Sequence, residues 1–427
     1  MMEKVKVHIE SAAFKGYGVA RINGKVVFVP YSVTGDEAWI EIVEEKKKYS
    51  MGRLIQIIKP SPWRVNPPCP YFGRCGGCQW QHINDSVQGV LKKEILEDLL
   101  RRLGRVREIP PITIYPAPQS YGYRARIQLK VEGKALGYYQ EKSHWVVDIQ
   151  ECLTAHPLIN QMLALVRKKL PSLSQTNEIE INISPDESKG VLILHCLSPD
   201  RGIENGLKEF FQNHSIFKGV TITKKEGLNS FGDPYLNFTI PWSRGGEKRN
   251  LRFRVSPGSF SQVNLEQNQT LIQTILQFSE VNKEDRVLDL YAGVGNLTLP
   301  LAMEAKEVLG IEENRIAIDD ARFNIEKNGI SNCDFIPGKA EDVFVSWKRK
   351  TPDLVVLDPP RMGAKMILDH VARLKPNKII YISCEPTTFS RDLHLFSERG
   401  YSLQRLGLID MFPQTYHMET VGLLRQS

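Results

Sequence analysis

Five short apolar runs, at residues 286–290, 308–312, 333–336, 354–357 and 378–383, alternate with helical segments after Ser256. Strands that recur with a helix between them pair side by side with their crossovers on the faces, so this region predicts a mostly parallel, doubly wound sheet. The closing runs "LGLIDMF" and "METVGLL" predict an antiparallel hairpin added at the sheet's edge. In open α/β sheets ligands bind beyond the carboxyl ends of the strands, and the residues just after each run are therefore the first place to look for chemistry.

The rest of the chain is organised differently. At 427 residues it exceeds what one core usually organises, and two or three domains are expected. Residues 1–58 carry strand-like runs ("KVVFVPYSV", "DEAWIEIVEE", "MGRLIQIIK") punctuated by Gly18, Gly24, Gly35 and Gly52. A small barrel of about five strands fits that length. The Pro-rich stretch "KPSPWRVNPPCPYFGRCGGC" reads as a linker running into a Cys loop. A helix follows over 86–103, with Val87, Val90, Leu91, Ile95, Leu99 and Leu103 near one face and Gly104 as its stop. Residues 59–255 are expected to form a central α+β domain, whose 86–103 helix could pack on the 256–427 domain.

The formal charge of +7, from 56 Lys and Arg against 49 Asp and Glu, is modest, and its distribution is more informative. Residues 101–130 hold seven basic residues and one acid, with Tyr121 and Tyr123 interleaved in "SYGYRARIQLK". Cations that neutralise phosphates beside rings that stack on bases suit a nucleic-acid groove; a solvated face with core tyrosines is the alternative. Lys46, Lys47 and Lys48 beside Tyr49 could likewise track a phosphate backbone or simply decorate a hairpin tip. No apolar run approaches the roughly 18 residues of a membrane span, and the opening "MMEKVKVHIE" has charges where a signal peptide needs an apolar core. A soluble, cytoplasmic protein without a membrane partner is expected. Seven cysteines are then not a disulfide framework, and their clustering needs another reason.

"VLDLYAGVGNLTLPLA", residues 287–302, reads as strand, glycine turn and helix. Gly293 and Gly295 let the backbone approach a ligand, and Thr298 stands where the dinucleotide fingerprint wants a third Gly. Glu312 ends the next strand, "VLGIE", where a carboxylate can accept both hydroxyls of a ribose. An Asp before the turn, two glycines and a ribose acid together resemble the S-adenosylmethionine site of Rossmann-like methyltransferases.

"LVVLDPPRMG" places Asp358 at the end of the fourth strand, and "YISCEPTTFSRDL" places Cys384 at the end of the fifth. Alone, Cys384 reads as a small buried thiol closing a strand. If the last strand is antiparallel, Glu419 at its start lies on the same edge. Two acids and a thiol beside a methyl donor suggest one reaction. Carbon 5 of uracil is a poor nucleophile until a thiolate adds to carbon 6, after which a base must remove the carbon-5 proton so that the thiolate can leave. Cys384 and Glu419 fit these roles, with Asp358 reading the polar edge of the base.

From end to end the chain resembles the RNA uracil-C5 methyltransferases that act on ribosomal RNA and the transfer-RNA T-loop. The likeness rests on an N-terminal TRAM-like, OB-like barrel, the Cys cluster, "SPGSFSQVN", the glycine loop, "DPPRMG", "SCEPTTFSRDL" and "DMFPQTYHMET". It implies a Rossmann-like class I methyltransferase domain at 256–427 and an RNA-binding barrel at 1–58. It also implies that Gln262, Tyr291, Asn296, Glu312 and Asp358 contact S-adenosylmethionine or the target base, with Cys384 as nucleophile and Glu419 as base. Glu385 departs from the Asn or Asp usual after the nucleophile, which puts local hydrogen bonding and substrate fit in question. The expected substrate is 23S ribosomal RNA, with transfer RNA as the alternative, and the expected state is a monomer. Amino-group methylation would favour an aromatic where Arg361 stands and would not need Cys384. An RNA-binding or redox-sensing module without activity is a further alternative.

Cys69, Cys75 and Cys78 follow a C-x5-C-x2-C pattern, with Cys152 downstream. Four soft ligands could hold zinc or an iron–sulfur cluster, and spacing alone does not choose. The family resemblance implies a [4Fe-4S] cluster. Cys196 and Cys333 lie in strand-like runs and read as core thiols.

Overall fold

The computed structural model describes residues 4–169, 175–196, 201–224, 227–244, 246–345 and 349–426. Strands at Arg286–Leu290, Glu307–Glu312, Cys333–Pro337, Leu354–Leu357 and Lys378–Ser383 form the parallel part of an eight-stranded sheet. Each is apolar on both sides of the pleat because helices cover both faces. Alternate residues divide between two cores. Val287, Leu354, Val356, Ile380 and Ile382 face one, and Leu288, Leu290, Val355, Leu357, Ile379 and Tyr381 face the other.

The central strand, Arg286–Leu290, has Glu307–Glu312 on one side and Leu354–Leu357 on the other. The chain reverses its direction of travel between these two neighbours, which opens a crevice above their carboxyl ends. Glu419–Gln426 runs antiparallel to Lys378–Ser383, with Ser383 opposite Thr420, and Tyr401–Ile409 pairs antiparallel on its far side. This hairpin does not end the sheet. Ile112–Tyr115, a strand from the segment expected to be central, pairs in parallel with Tyr401–Ile409 and takes the edge.

The 59–255 segment therefore divides among several cores, and its expected boundary at 255 differs from the packing. A seven-stranded sheet spans 126–232, backed by helices Pro157–Lys169 and Arg201–Gln212. Its core includes Ile127, Ile159, Leu163, Ile181, Leu194 and Ile222. The hairpin of Leu236–Arg244 and Glu247–Val255, in contrast, buries Phe238, Ile240, Leu251 and Phe253 in the core beneath the eight-stranded sheet. Six strands between Lys4 and Lys59, one more than expected, make the N-terminal unit around Val7, Ile9, Val27, Val29 and Ile40. The sheet curls, with the N–H of Glu10 donating to Val19 O at 2.7 Å. Lys46, Lys47 and Lys48 sit exposed at the turn between its last two strands.

The expected helix runs Asp85–Arg102 and is capped by Asn84, whose side chain accepts from Ser86 N. It buries Leu91, Ile95, Leu96, Leu99 and Leu100 against the same core as Leu288 and Leu357. Val90 and Leu103, expected on that face, are each 44% exposed, whereas Lys92 is fully buried. No helix among the described residues is long and apolar enough to cross a membrane.

Candidate functional site

The glycine loop leaves the central strand through Tyr291, whose φ of 65° is unusual for a bulky residue. Gly293 follows at φ 54°, with nothing within 4 Å of where a Cβ would stand, so the loop is open to a ligand there. Gly295, at φ 88°, has a different reason to be glycine: a Cβ would collide with Leu299 Cδ1. Gln262, Tyr291, Gly293, Asn296 and Asp358 line one cavity of about 50 Å³ together with Phe260 and Asp289.

Glu312, expected to hold a ribose, stands beside the loop. Its Oε2 accepts from Gly293 N at 2.9 Å and its Oε1 from Asn314 N at 2.7 Å, which fixes the carboxylate while leaving lone pairs on both oxygens. Asn296 exchanges two hydrogen bonds with the buried Asn268, at 2.8 and 2.9 Å. The pair fixes the Asn296 amide while leaving it a second N–H and a second lone pair for a ligand, and Asn268 is a support that the motif did not indicate. Thr298, in the third-glycine position, donates to Asp289 Oδ2 at 2.6 Å. Asp289 Oδ1 is buried without a partner. Burial, opposed by the Thr298 hydrogen bond and reinforced by Asp358 and Glu312, pushes the Asp289 carboxyl up to about 7.

The reacting groups occupy the same edge. Asp358 follows Leu354–Leu357, and Pro359 and Pro360 stop the strand. Cys384 follows Lys378–Ser383 and precedes the Pro386–Ser397 helix. Because Ser383 is paired with Thr420, the antiparallel register carries Cys384 and Glu419 to neighbouring strand ends. Electrostatics register the convergence. Burial pushes the Cys384 thiol up to about 12, with Glu419 and Asp358 adding to it and Arg361 opposing it. Burial and then Asp358 raise the Glu419 carboxyl well above the usual carboxylate range, again against Arg361. Burial alone lifts Asp358 to about 6. Two acids and a thiol thus lie within electrostatic reach of one another at this edge, with Arg361 as the opposing cation.

Glu385, the departure in the motif, turns its carboxylate to Thr387 Oγ1 at 2.5 Å, while its backbone N donates to Ser383 Oγ at 3.1 Å. His417 was not singled out in "QTYHMET", yet it lines a cavity with Cys384, Arg361 and Phe412. Burial holds its imidazole neutral, down to about 3, so at neutral pH it offers one donor and one acceptor.

That cavity, of about 290 Å³, extends to Cys69, Cys75, Cys78 and Cys152. None of the four is in a disulfide. Burial raises the thiols of Cys69, Cys75 and Cys78, the last two to about 12 and about 11. Among the described residues, no three His, Cys, Asp or Glu side chains converge on one metal-ion position. All four cysteines line this one cavity. Cys196 lies buried in its strand and Cys333 is partly buried in another.

The basic stretch 101–130 does not make one groove. Arg101 and Arg102 pair with Glu97 and Asp98 along their own helix, Arg126 pairs with Glu180, and Lys130 with Glu178. Tyr123 is a core ring whose hydroxyl donates to Pro413 O at 3.0 Å. The local charge is spread over the Asp85–Arg102 helix, the Arg126–Glu132 strand and the connecting segment that carries Arg105, Arg107 and Arg124.

Residues 244–427 match the family described as tRNA (Uracil-5-)-methyltransferase, and residues 5–63 match the TRAM domain of tRNA (uracil(54)-C(5))-methyltransferase. An RNA methyltransferase of Aquifex aeolicus, itself uncharacterized, is 36% identical over 98% of both chains. A 23S rRNA (uracil(1939)-C(5))-methyltransferase of Pectobacterium atrosepticum is 34% identical over 96% of this chain and 90% of its own. In fold, the chain is similar to the tRNA (uracil-54, C5)-methyltransferase of Pyrococcus abyssi crystallised with S-adenosyl-L-homocysteine, at a TM-score of 0.77 and 24% identity over 98% of this chain and all of that one. With relatives of this identity along nearly its whole length, the chain belongs to the S-adenosylmethionine-dependent RNA uracil-C5 methyltransferases.

Proposed function

We propose that the chain methylates carbon 5 of a uridine in 23S ribosomal RNA through a covalent Cys384–carbon 6 adduct. The observation that carries this reading is the strand register that brings Cys384 and Glu419 to the edge holding Asp358 and the glycine loop. When bound, S-adenosylmethionine supplies an electrophilic methyl group on a cationic sulfur. Gln262, Tyr291, Asn296, Glu312 and Asp358 would hold it or the target base. The resting thiol is neutral, so Cys384 must first give its proton to solvent; its sulfur then bonds carbon 6 and leaves carbon 5 nucleophilic. After methyl transfer, Glu419 in its ionised form takes the carbon-5 proton, and the electron pair returns to the ring as the sulfur–carbon bond breaks. Arg361 offsets the negative charge that accumulates among these groups.

Relatives named for 23S ribosomal RNA, similar over nearly the entire chain, support that substrate. The fold likeness to a tRNA enzyme favours the T-loop as the second reading. Mapping 5-methyluridine in ribosomal and transfer RNA with and without the gene separates them. Loss from 23S RNA supports the first reading, loss from transfer RNA alone supports the second, and no loss from either rejects both. Residues 1–58 would contribute RNA affinity, consistent with the match to a TRAM domain.

Four thiols that line one cavity are all soft donors, and together with the family resemblance they suit an iron–sulfur cluster. Cys69, Cys75, Cys78 and Cys152 would hold such a [4Fe-4S] cluster, which ties the Cys loop to the central sheet.

A further inference from the structure

The methylation chemistry does not use Arg124, yet this residue lines the four-cysteine cavity. Its backbone is fixed: its N–H donates to Thr154 O at 2.9 Å and its carbonyl accepts from His156 N at 3.0 Å. The guanidinium lies 5.7 Å from the centroid of the Tyr123 ring. Its Nε is sealed from solvent and has no hydrogen-bond partner. Other enclosed arginines here have carboxylates, as Arg64 has Asp36 and Arg254 has Asp320. Among the described residues no ion pair links Arg124 to a carboxylate. The neighbours that feel its charge are Tyr123, Tyr138, Cys152 and Cys78.

A guanidinium in a protein does not shed its proton, so the sealed, unpartnered Nε–H on the cavity side of this partly buried arginine calls for an acceptor or an anion beside it. Thiols supply one when they ligate metal, because the ligand is the thiolate. We propose that Arg124 is the counter-cation of an anionic iron–sulfur cluster held by Cys69, Cys75, Cys78 and Cys152, and that its charge sets the cluster's reduction potential. The inference rests on the cluster reading above. A cluster with four thiolate ligands is negative and gains one more negative charge on reduction. A fixed positive charge beside the cluster therefore favours the reduced form and raises the potential. Arg361 and Glu151 line the same cavity, one of each sign, whereas Arg124 is the cation whose Nε is left without a partner.

The test uses the anaerobically purified full-length protein. Absence of iron and acid-labile sulfide from the wild type overturns the cluster reading and this inference together. With the cluster present, a potentiometric titration followed by electron paramagnetic resonance should give a lower midpoint potential for Arg124→Met and a nearly unchanged one for Arg124→Lys. An unchanged potential in cluster-loaded Arg124→Met overturns the counter-cation role and leaves the cluster reading standing. If Arg124→Met cannot retain the cluster, occupancy of Arg124→Lys decides. Wild-type occupancy there supports a requirement for charge, and loss from both variants overturns it.

Discussion

Lys92 Nζ lies 2.6 Å from Asp410 Oδ1, joining the Asp85–Arg102 helix to the loop that leads into Glu419. The lysine side chain is wholly enclosed, and Asp410 retains 11% exposure. Nζ also donates to Phe412 O at 3.2 Å and stands 5.8 Å from the Trp80 ring centroid. The same loop is held at Gln414, whose N donates to Gln88 Oε1 at 3.0 Å and whose Nε2 donates to Asp85 Oδ1 at 2.6 Å. Tyr123 and Gln267 secure Pro413 O and Asp410 O. A segment without regular structure is thereby held rigid just before the candidate base.

Replacing Lys92 by Met leaves Asp410 enclosed without its cation. Breaking one side of a buried pair costs about 3–5 kcal/mol, and a loss of that order is expected in urea unfolding. Adding Asp410→Asn should recover part of it. Equal stability of Lys92→Met and wild type would show that the pair contributes nothing.

Asp289 predicts a stability change of the opposite kind. Its carboxyl is raised from 3.8 to about 7 in the folded protein, mainly by burial. Above the folded value both states are ionised and the folded state bears the penalty in full. Between about 7 and 4 the folded carboxyl gains its proton first, so this group favours folding progressively as pH falls. The upper bound of the effect is about 4 kcal/mol. Asp289→Asn should therefore stabilise the ligand-free protein more at pH 8 than at pH 5. A substitution effect independent of pH would refute the assignment.

The parallel strands were legible because each is apolar on both faces and bounded by turn residues, as in "LVVLDPP". The Ile112–Tyr115 strand was not assignable to its sheet. "ITIY" announces a strand, but its partner lies near the other end of the chain and leaves no local trace. The burial of Lys92 was not legible for a related reason. A lysine on a helix suggests solvent until the distant Asp410 is known to face it. Cys384, Asp358 and Glu419 could be placed on one edge because strand direction alone fixes which end they occupy. Spacing could group the four cysteines, but it could not reveal that their cavity reaches Cys384, since that depends on the packing of the Cys loop against the catalytic edge.

The resting electrostatics predict how Cys384 should react with a small alkylating agent. With its thiol pushed up to about 12, chiefly by burial and then by Glu419, the thiolate fraction and the alkylation rate should rise about tenfold per pH unit from 7 to 9.5. Asp358→Asn removes a nearby negative charge, lowers the thiol's pKa and should speed alkylation at fixed pH. Arg361→Met should slow it. Site-resolved mass spectrometry of iodoacetamide labelling reads all three, and identical rates in wild type and both variants would contradict the shared site.

Covalent catalysis makes the most specific prediction. If Cys384 adds to carbon 6 of a uracil taken out of its stack, a protein–RNA species must form during turnover, and its release requires a base. Glu419→Gln keeps the shape of that side chain but cannot take the carbon-5 proton. Methyl transfer should proceed and elimination should stall. With RNA and S-adenosylmethionine the adduct should accumulate and survive denaturing electrophoresis. Cys384→Ala, alone or with Glu419→Gln, should abolish both adduct and methylation while leaving folding and cofactor binding nearly intact. A thiol that merely closed a strand would lose a little packing on truncation and leave activity largely in place. Substantial 5-methyluridine formation by a folded Cys384→Ala protein would return Cys384 to that lesser role, and Glu419, despite its place beside it in the strand register, would need another explanation for its burial.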